Sequence, residues 1–381
     1  MPSGAGPSGM ATISNGGTEN AKPDFDSAKT KGKLMTTGKS NWRIFECVVA
    51  AALATAIPTL AQETITYDVP GAVNGVFPNM IVPSGAITGG YLDANNFAHG
   101  FLRAPDGAIT TFDVPGVGGS FGSTGQSMNE QGTIVGSYTD TKDRVHGFLR
   151  DSKGRFTTFD VPGSIRTVIR DVNPAGTIAG IYRDANNVRH AYLRTSNGKV
   201  TSFDIPGGSF GSAECYDTCL NPAGVLTGIY LDQNGVYHSY LREPDGRIIT
   251  FDPPGAVNGT YALSINPSSA VTGVLVDSVG MEHGFVRTSD GSFTTFDVPG
   301  AAGTEPGTID PGGSISGDYF DPAGVYHGFV RTADGTVTTF DIPGAGTNPG
   351  EGTFPIGITP GGTVPGYYCD DVTCRGFVRR P

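Results

Sequence analysis

The sequence predicts an all-β fold, and three observations carry that prediction. Glycine and proline are abundant, at 58 and 27 of 381 residues, while charged residues make up only 16%. Such a composition suits short strands joined by tight turns, and it excludes a coiled coil or a charge-rich disordered chain. The phrase Phe-Asp-Val-Pro-Gly, or a close variant, recurs with its aspartate at Asp68, Asp113, Asp160, Asp204, Asp252, Asp297 and Asp341. A second phrase, His-Gly-Phe-Leu-Arg, recurs from His99, His146, His190, His238, His283 and His327, with a degenerate copy at Arg375. The glycines have no every-third spacing, so collagen is excluded as well.

Each repeat unit reads as four short strands, here called a to d. In the unit of residues 256–297, strand a is 261–265, followed by the Asn266-Pro267 turn. Strand b is 271–276, strand c is 283–287 and strand d is 293–296. The Asp290-Gly291 turn between c and d supplies the positive φ that tight hairpins require. It recurs as Asp106-Gly107, Lys153-Gly154, Asn197-Gly198, Asp245-Gly246 and Asp334-Gly335. Seven four-stranded units with this period predict a seven-bladed β-propeller. The chain enters the repeat on a lone strand d at 65–68 and leaves it after a lone strand c at 376–379. The N-terminal strand is therefore expected to join the last blade and close the ring, which also hides the sheet edges.

The domain organisation follows. Residues 1–34 hold almost no large apolar residues and are expected to be a disordered or untranslated extension. Residues 35–61 carry a basic start, an apolar run from Ile44 to Leu60 and a small-residue end, the pattern of a signal peptide. Residues 62–381 are the propeller. The run includes Glu46 and is too short for a good membrane span, so no stable span is expected after cleavage. Secretion or a periplasmic location follows. The formal charge of −11 argues against nucleic acid, because phosphate binding needs a basic face. A monomer is expected.

The repeat core, Gly-x-Ile/Val-x-Gly-x-Tyr-x-Asp followed by His-[Gly/Ala/Ser]-[Phe/Tyr]-[Leu/Val]-Arg, resembles the HAF family of bacterial extracellular repeats. His190-Ala191-Tyr192-Leu193-Arg194 is the clearest copy; the others carry glycine or serine in the middle position. The resemblance covers essentially all of 62–381. It implies an exported propeller-like protein and no catalytic residues. Tryptophan is absent from 62–381, unlike Trp-Asp, kelch and quinoprotein blades.

Each histidine has an aspartate six residues before it: Asp93/His99, Asp140/His146, Asp184/His190, Asp232/His238, Asp277/His283 and Asp321/His327. Metal ligation or acid–base chemistry is one reading. A hydrogen bond that fixes the same loop in every blade is the other, and repetition favours it, since an active site needs one special copy. In the seventh unit the equivalent positions are Cys369 and Arg375. A disulfide Cys369–Cys374 would staple that loop instead. Cys215 and Cys219 form a second local pair. Extended backbone would hold them about 13 Å apart, so this segment is expected to turn or bulge. A zinc site drawing four thiolates from units four and seven is the alternative.

In a propeller the d–a and b–c loops share one face, and departures from the repeat on that face are the best binding candidates. Longer d–a loops enter units two, four and seven. The loop of unit four holds Glu214, Tyr216 and Asp217, and unit three adds Arg166 and Arg170. Asp140/Asp143 and Asp370/Asp371 offer oxygen ligands for calcium, but those loops lack the dense carboxylate spacing of a dedicated site. No cofactor, metal or catalytic residue is assigned. The expected function is an exported, non-enzymatic binding module for a glycan or a cell-envelope component. The alternative is a propeller-fold glycoside hydrolase or polysaccharide lyase, for which the acids outside the repeat are Glu214, Asp217, Glu305 and Glu351.

Overall fold

The computed structural model describes residues 62–209, 214–215 and 218–381. The extension 1–34, the leader 35–61, Tyr216 and Asp217 lie outside these residues.

Each repeat unit folds as an antiparallel meander. In unit one the strands are Val76–Ile81, Ile87–Leu92, Ala98–Arg103 and Ile109–Phe112, hydrogen-bonded in chain order. Units two, three and five repeat this four-stranded sheet. Unit six is the same meander, from Gly303–Ile309 to Val337–Phe340. Unit seven contributes Gly352–Pro355, Val364–Cys369 and Cys374–Arg380. Its fourth strand is Glu63–Tyr67, from the start of the described chain, which pairs antiparallel with Cys374–Arg380 in the register Glu63↔Arg380 to Tyr67↔Gly376.

Unit four departs from the expected four strands. Among the described residues it has three, Leu226–Leu231, Tyr237–Arg242 and Ile248–Phe251. In place of an inner strand, two isolated bridges, Glu214↔Ile229 and Leu220↔Leu226, flank the disulfide Cys215–Cys219. The Cα atoms of those cysteines are 5.7 Å apart, less than half the extended span, so the segment cannot run as a strand. The disulfide Cys369–Cys374 instead closes a hairpin whose cysteines face each other in register. With all four thiols paired, none is left for the zinc alternative.

One glycine per unit serves a specific purpose. Strand a bulges at Pro78/Met80, Gly125/Ser127, Ile169/Asp171, Ala262/Ser264 and Pro306/Thr308. Beside each bulge lies a strand-b glycine such as Gly180, where a Cβ would collide with the Val168 carbonyl oxygen. Any side chain at that glycine would push the bulged strand away.

The core lies between neighbouring sheets. The aromatic residue of each His-Gly-Phe phrase, Phe101, Phe148, Tyr192, Tyr240, Phe285, Phe329 or Phe377, is fully buried. It meets the strand-d ring of the preceding unit edge-on, at 6.2–6.5 Å between centroids. The arginine two residues later covers the same ring: Arg103 on Tyr67, Arg150 on Phe112, Arg194 on Phe159, Arg242 on Phe203, Arg287 on Phe251, Arg331 on Phe296 and Arg379 on Phe340, at 4.2–5.1 Å. Each junction thus carries an edge-to-face pair and a cation–π contact, worth about 0.5–1.5 and 0.5–2 kcal/mol beyond area burial. The junction between unit one and the N-terminal strand, Arg103 and Phe101 on Tyr67, is built like the others.

Candidate functional site

The b–c loop of every unit is organised by its aspartate. Asp184 Oδ1 accepts hydrogen bonds from the amides of Asn186 and Val188 at 2.9 and 2.8 Å. Asp93, Asp140, Asp232, Asp277 and Asp321 do the same with the residues two and four positions on. These amides hold the carboxyls below the usual carboxylate range. Two further calcium candidates are engaged in the same way: Asp143 accepts the Ser120 amide, and Asp370 accepts those of Val372 and Thr373. Among the described residues no three of His, Cys, Asp and Glu are arranged to hold a metal.

Each histidine bridges two aspartates rather than one. Nδ1 donates to the strand-d aspartate fourteen residues on, Asp113, Asp160, Asp204, Asp252, Asp297 or Asp341, at 2.8–2.9 Å. Nε2 faces the loop aspartate at a longer 3.2–3.8 Å. The stronger partner therefore belongs to the Phe-Asp-Val-Pro-Gly phrase, which the six-residue spacing did not single out. At His283 burial works against the charged ring, but Asp297 and Asp277 outweigh it and hold the imidazole above its usual value. A tyrosine lies over the ring in five units, for example Tyr182 on His190 at 5.0 Å. In unit seven Arg375 stands in the histidine's place. Its Nη1 donates to Asp370 at 2.8 Å and its Nε faces Asp68 at 3.8 Å. The aspartate equivalent in this unit is thus Asp370, not Cys369.

At one end of strand a, the a–b turns of all seven units line a cavity of about 160 Å³. Its wall is largely apolar, with Met80, Met128, Leu220, Ile265, Ile309 and Ile356 contributing. Hydrogen bonds run round it from unit to unit. Asn173 Nδ2 donates to the Asn221 carbonyl, Asn221 to that of Asn266, and Asn266 to that of Asp310, at 3.1–3.4 Å. On the same wall, Asp171 accepts from Ser127 of unit two at 2.7 Å and from the Leu220 amide of unit four at 2.9 Å. Burial raises the Asp171 carboxyl to about 6 despite these donors. None of Glu214, Glu305 and Glu351 lines this cavity. Glu351 is folded onto Asn348, while Glu305 lies buried beside Glu282.

A second cavity, of about 90 Å³, sits where unit three meets unit four, at the opposite end of strand a. Three of the binding candidates meet here: Arg166, Arg170 and Glu214 line it, together with Val168, Ile181, Tyr182, Arg183 and Arg189. Arg183 and Arg189 were not singled out from the sequence. The signal was the register: Arg166 pairs with Arg183, and Arg183 with Arg189, across three adjacent strands. Arg189 forms an ion pair with Glu214 across the seam, and Arg183 donates to the Asn187 carbonyl at 3.0 Å.

The chain matches no known family model, and no curated protein matches it. Solved structures do. Virginiamycin B lyase from Staphylococcus aureus superposes with a TM-score of 0.56 at 17% identity, over 83% of this chain and 99% of that one. The β-propeller domain of the Trilobed protease from Pyrococcus furiosus superposes with a TM-score of 0.56 at 11% identity, over 81% and 95%. At these identities the likeness concerns the fold. The fold is that of a β-propeller protein, all-β and built from repeated antiparallel sheets.

Proposed function

We propose that this chain is an exported seven-bladed β-propeller, closed by its N-terminal strand, whose d–a/b–c face binds a glycan or another cell-envelope component without catalysis of its own. The observation that carries this reading is the placement of the exposed apolar side chains. Val73, Ile165, Val257, Val279, Met281 and Val372 are the exposed large hydrophobics among the described residues, and all six lie on d–a or b–c loops. Apolar exposure confined to the d–a and b–c end of the sheets makes that end the candidate interaction surface.

The rest of the molecule is consistent with a scaffold. The Asp–His–Asp bridge recurs in six units and is replaced by an arginine bridge in the seventh, so no copy is special. The ladder between Glu63–Tyr67 and Cys374–Arg380, and the ring contacts at seven junctions, support seven blades in a closed ring. Two disulfides and the leader-like 35–61 support an oxidising, extracytoplasmic location. The resemblance to HAF repeats points the same way. Of the described acids weighed for a hydrolase or lyase, Glu214 is paired with Arg189 and Glu351 is turned onto Asn348.

The test is capture of the purified full chain by envelope fractions and immobilised polysaccharides, compared with a V257E/V279E variant. Loss of capture in the variant, with an unchanged Tm, supports the binding face. Equal capture by both proteins contradicts it.

A further inference from the structure

Cross-strand neighbours of like charge destabilise a sheet. Yet Arg166, Arg183 and Arg189 stand in one row across the three inner strands of unit three. Arg170 joins them on the wall of the 90 Å³ cavity, where Glu214 is the one carboxylate among the described residues. Burial and then the charges of Arg183, Arg170 and Arg189 hold Arg166 below the usual guanidinium value, with Glu214 alone opposing. The Arg166 side chain has no hydrogen-bond or ion-pair partner among the described residues. The arrangement stands out in a chain whose residues 62–381 hold 19 Lys and Arg against 32 Asp and Glu. The other junctions fill the equivalent strand positions with uncharged or acidic pairs, such as Tyr237 with Tyr261, Tyr326 with Phe354 and Glu282 with Glu305.

Guanidinium groups are planar, permanently charged and matched to two-oxygen anions. A cavity of about 90 Å³ holds several waters and has room for an oxyanion group. From these observations we propose that the arginine cavity between units three and four binds the carboxylate or sulfate group of an acidic glycan. This rests on the binding-face reading above and names its ligand class. The cavity lies on the side of the d–a and b–c loops, so an acidic residue of a longer polymer can enter it while neighbouring sugars lie across the loops. Glu214 positions Arg189 by its ion pair and offsets part of the positive charge of the cluster.

Calorimetric titration of the full chain tests the proposal, with three probes at matched ionic strength: inorganic sulfate, an oligogalacturonate and a neutral galactose oligomer. Oligogalacturonate should bind tighter than sulfate, and the neutral oligomer should not bind. Arg166→Gln and Arg183→Gln should each weaken oligogalacturonate at least tenfold. Arg166→Gln should leave Tm unchanged or raised, because it removes a like-charge contact. That readout separates a ligand-binding arginine from a structural one. Sulfate binding without any gain from oligogalacturonate would overturn the glycan assignment in favour of a free anion. Envelope capture that persists undiminished in both variants, with no heat from either anion, would overturn the arginine site while leaving the binding face standing.

Discussion

Arg375 and Asp68, near opposite ends of the described chain, face each other at 3.8 Å, in the relation that His283 has with Asp297 inside one unit. The arginine also holds Asp370 at 2.8 Å, so the last b–c loop, strand c and the N-terminal strand share one bridge. The longer guanidinium spans the two carboxylates where an imidazole serves elsewhere. Both groups are partly exposed, so Arg375→Ala should cost about 0.5–1 kcal/mol in urea unfolding. Arg375→His should recover most of that loss, because it restores the bridge of the other six units. Equal losses for the two variants would show that the bridge has no part in joining the ends.

The histidine bridges should be structural in their response to substitution. His283→Ala leaves Asp277 and Asp297 without their shared partner, and we expect a lower Tm with polysaccharide capture unchanged. Replacing the neighbouring Phe285 by alanine should be far more damaging, about 3–5 kcal/mol, because that ring is fully buried in the seam. Loss of capture in His283→Ala at an unaltered Tm would instead place the histidines in a site.

The disulfide Cys369–Cys374 closes a short loop. Chain-entropy arguments give about 2 kcal/mol for a loop of this length. The double variant C369S/C374S should unfold at a correspondingly lower urea concentration, and reducing agent should lower the Tm of the wild type but not shift it further through this bond in the variant. A C369S/C374S midpoint equal to that of wild type would mean the register pair holds the hairpin unaided.

Stability should depend on pH with an acidic optimum. Asp171 has a folded pKa of about 6 against an ordinary 3.8. The folded chain therefore binds this proton more tightly. Its contribution is complete below 3.8, is lost as pH rises to 6, and amounts to about 3 kcal/mol. His283, also raised, loses its contribution as pH climbs through its folded value. The loop aspartates Asp93, Asp140, Asp184, Asp232, Asp277, Asp321 and Asp370 have the opposite sign. Amide hydrogen bonds lower them, so their contribution is present above 3.8 and disappears as pH falls through their folded values. Scanning calorimetry should place the maximum Tm near pH 4–5, and Asp171→Asn should flatten the decline between pH 4 and 6. A flat wild-type profile across that interval would show that Asp171 keeps an ordinary pKa.

Much of the fold was legible because the unit is repeated. The strand positions, the Asp-Gly turns and the spare N-terminal strand all follow from comparing one copy with the next. The short separation of Cys215 and Cys219 was legible too, from the reach of extended backbone. The second aspartate of each bridge was in plain view as part of a repeated phrase, but its partner lies on the adjacent strand, fourteen residues away, and only the c–d register brings them together. The arginine of His-Gly-Phe-Leu-Arg looked like part of the same strand, while its work is done on the preceding unit. Arg183 and Arg189 sit in stretches where other units carry Leu231 and Tyr237 or Val276 and Glu282, and their convergence with Arg166 depends on pairings across three strands. Local spacing cannot register such contacts.

Ring closure can be measured directly by native-state hydrogen exchange. In a closed ring the amides that pair Glu63–Tyr67 with Cys374–Arg380 open only with the whole molecule. Their opening free energy should then match that of the central strand Ile178–Arg183 to within about 1 kcal/mol. Exchange of the N-terminal strand at the rate of a fraying terminus, while Ile178–Arg183 stays protected, would contradict a ring sealed by its first strand.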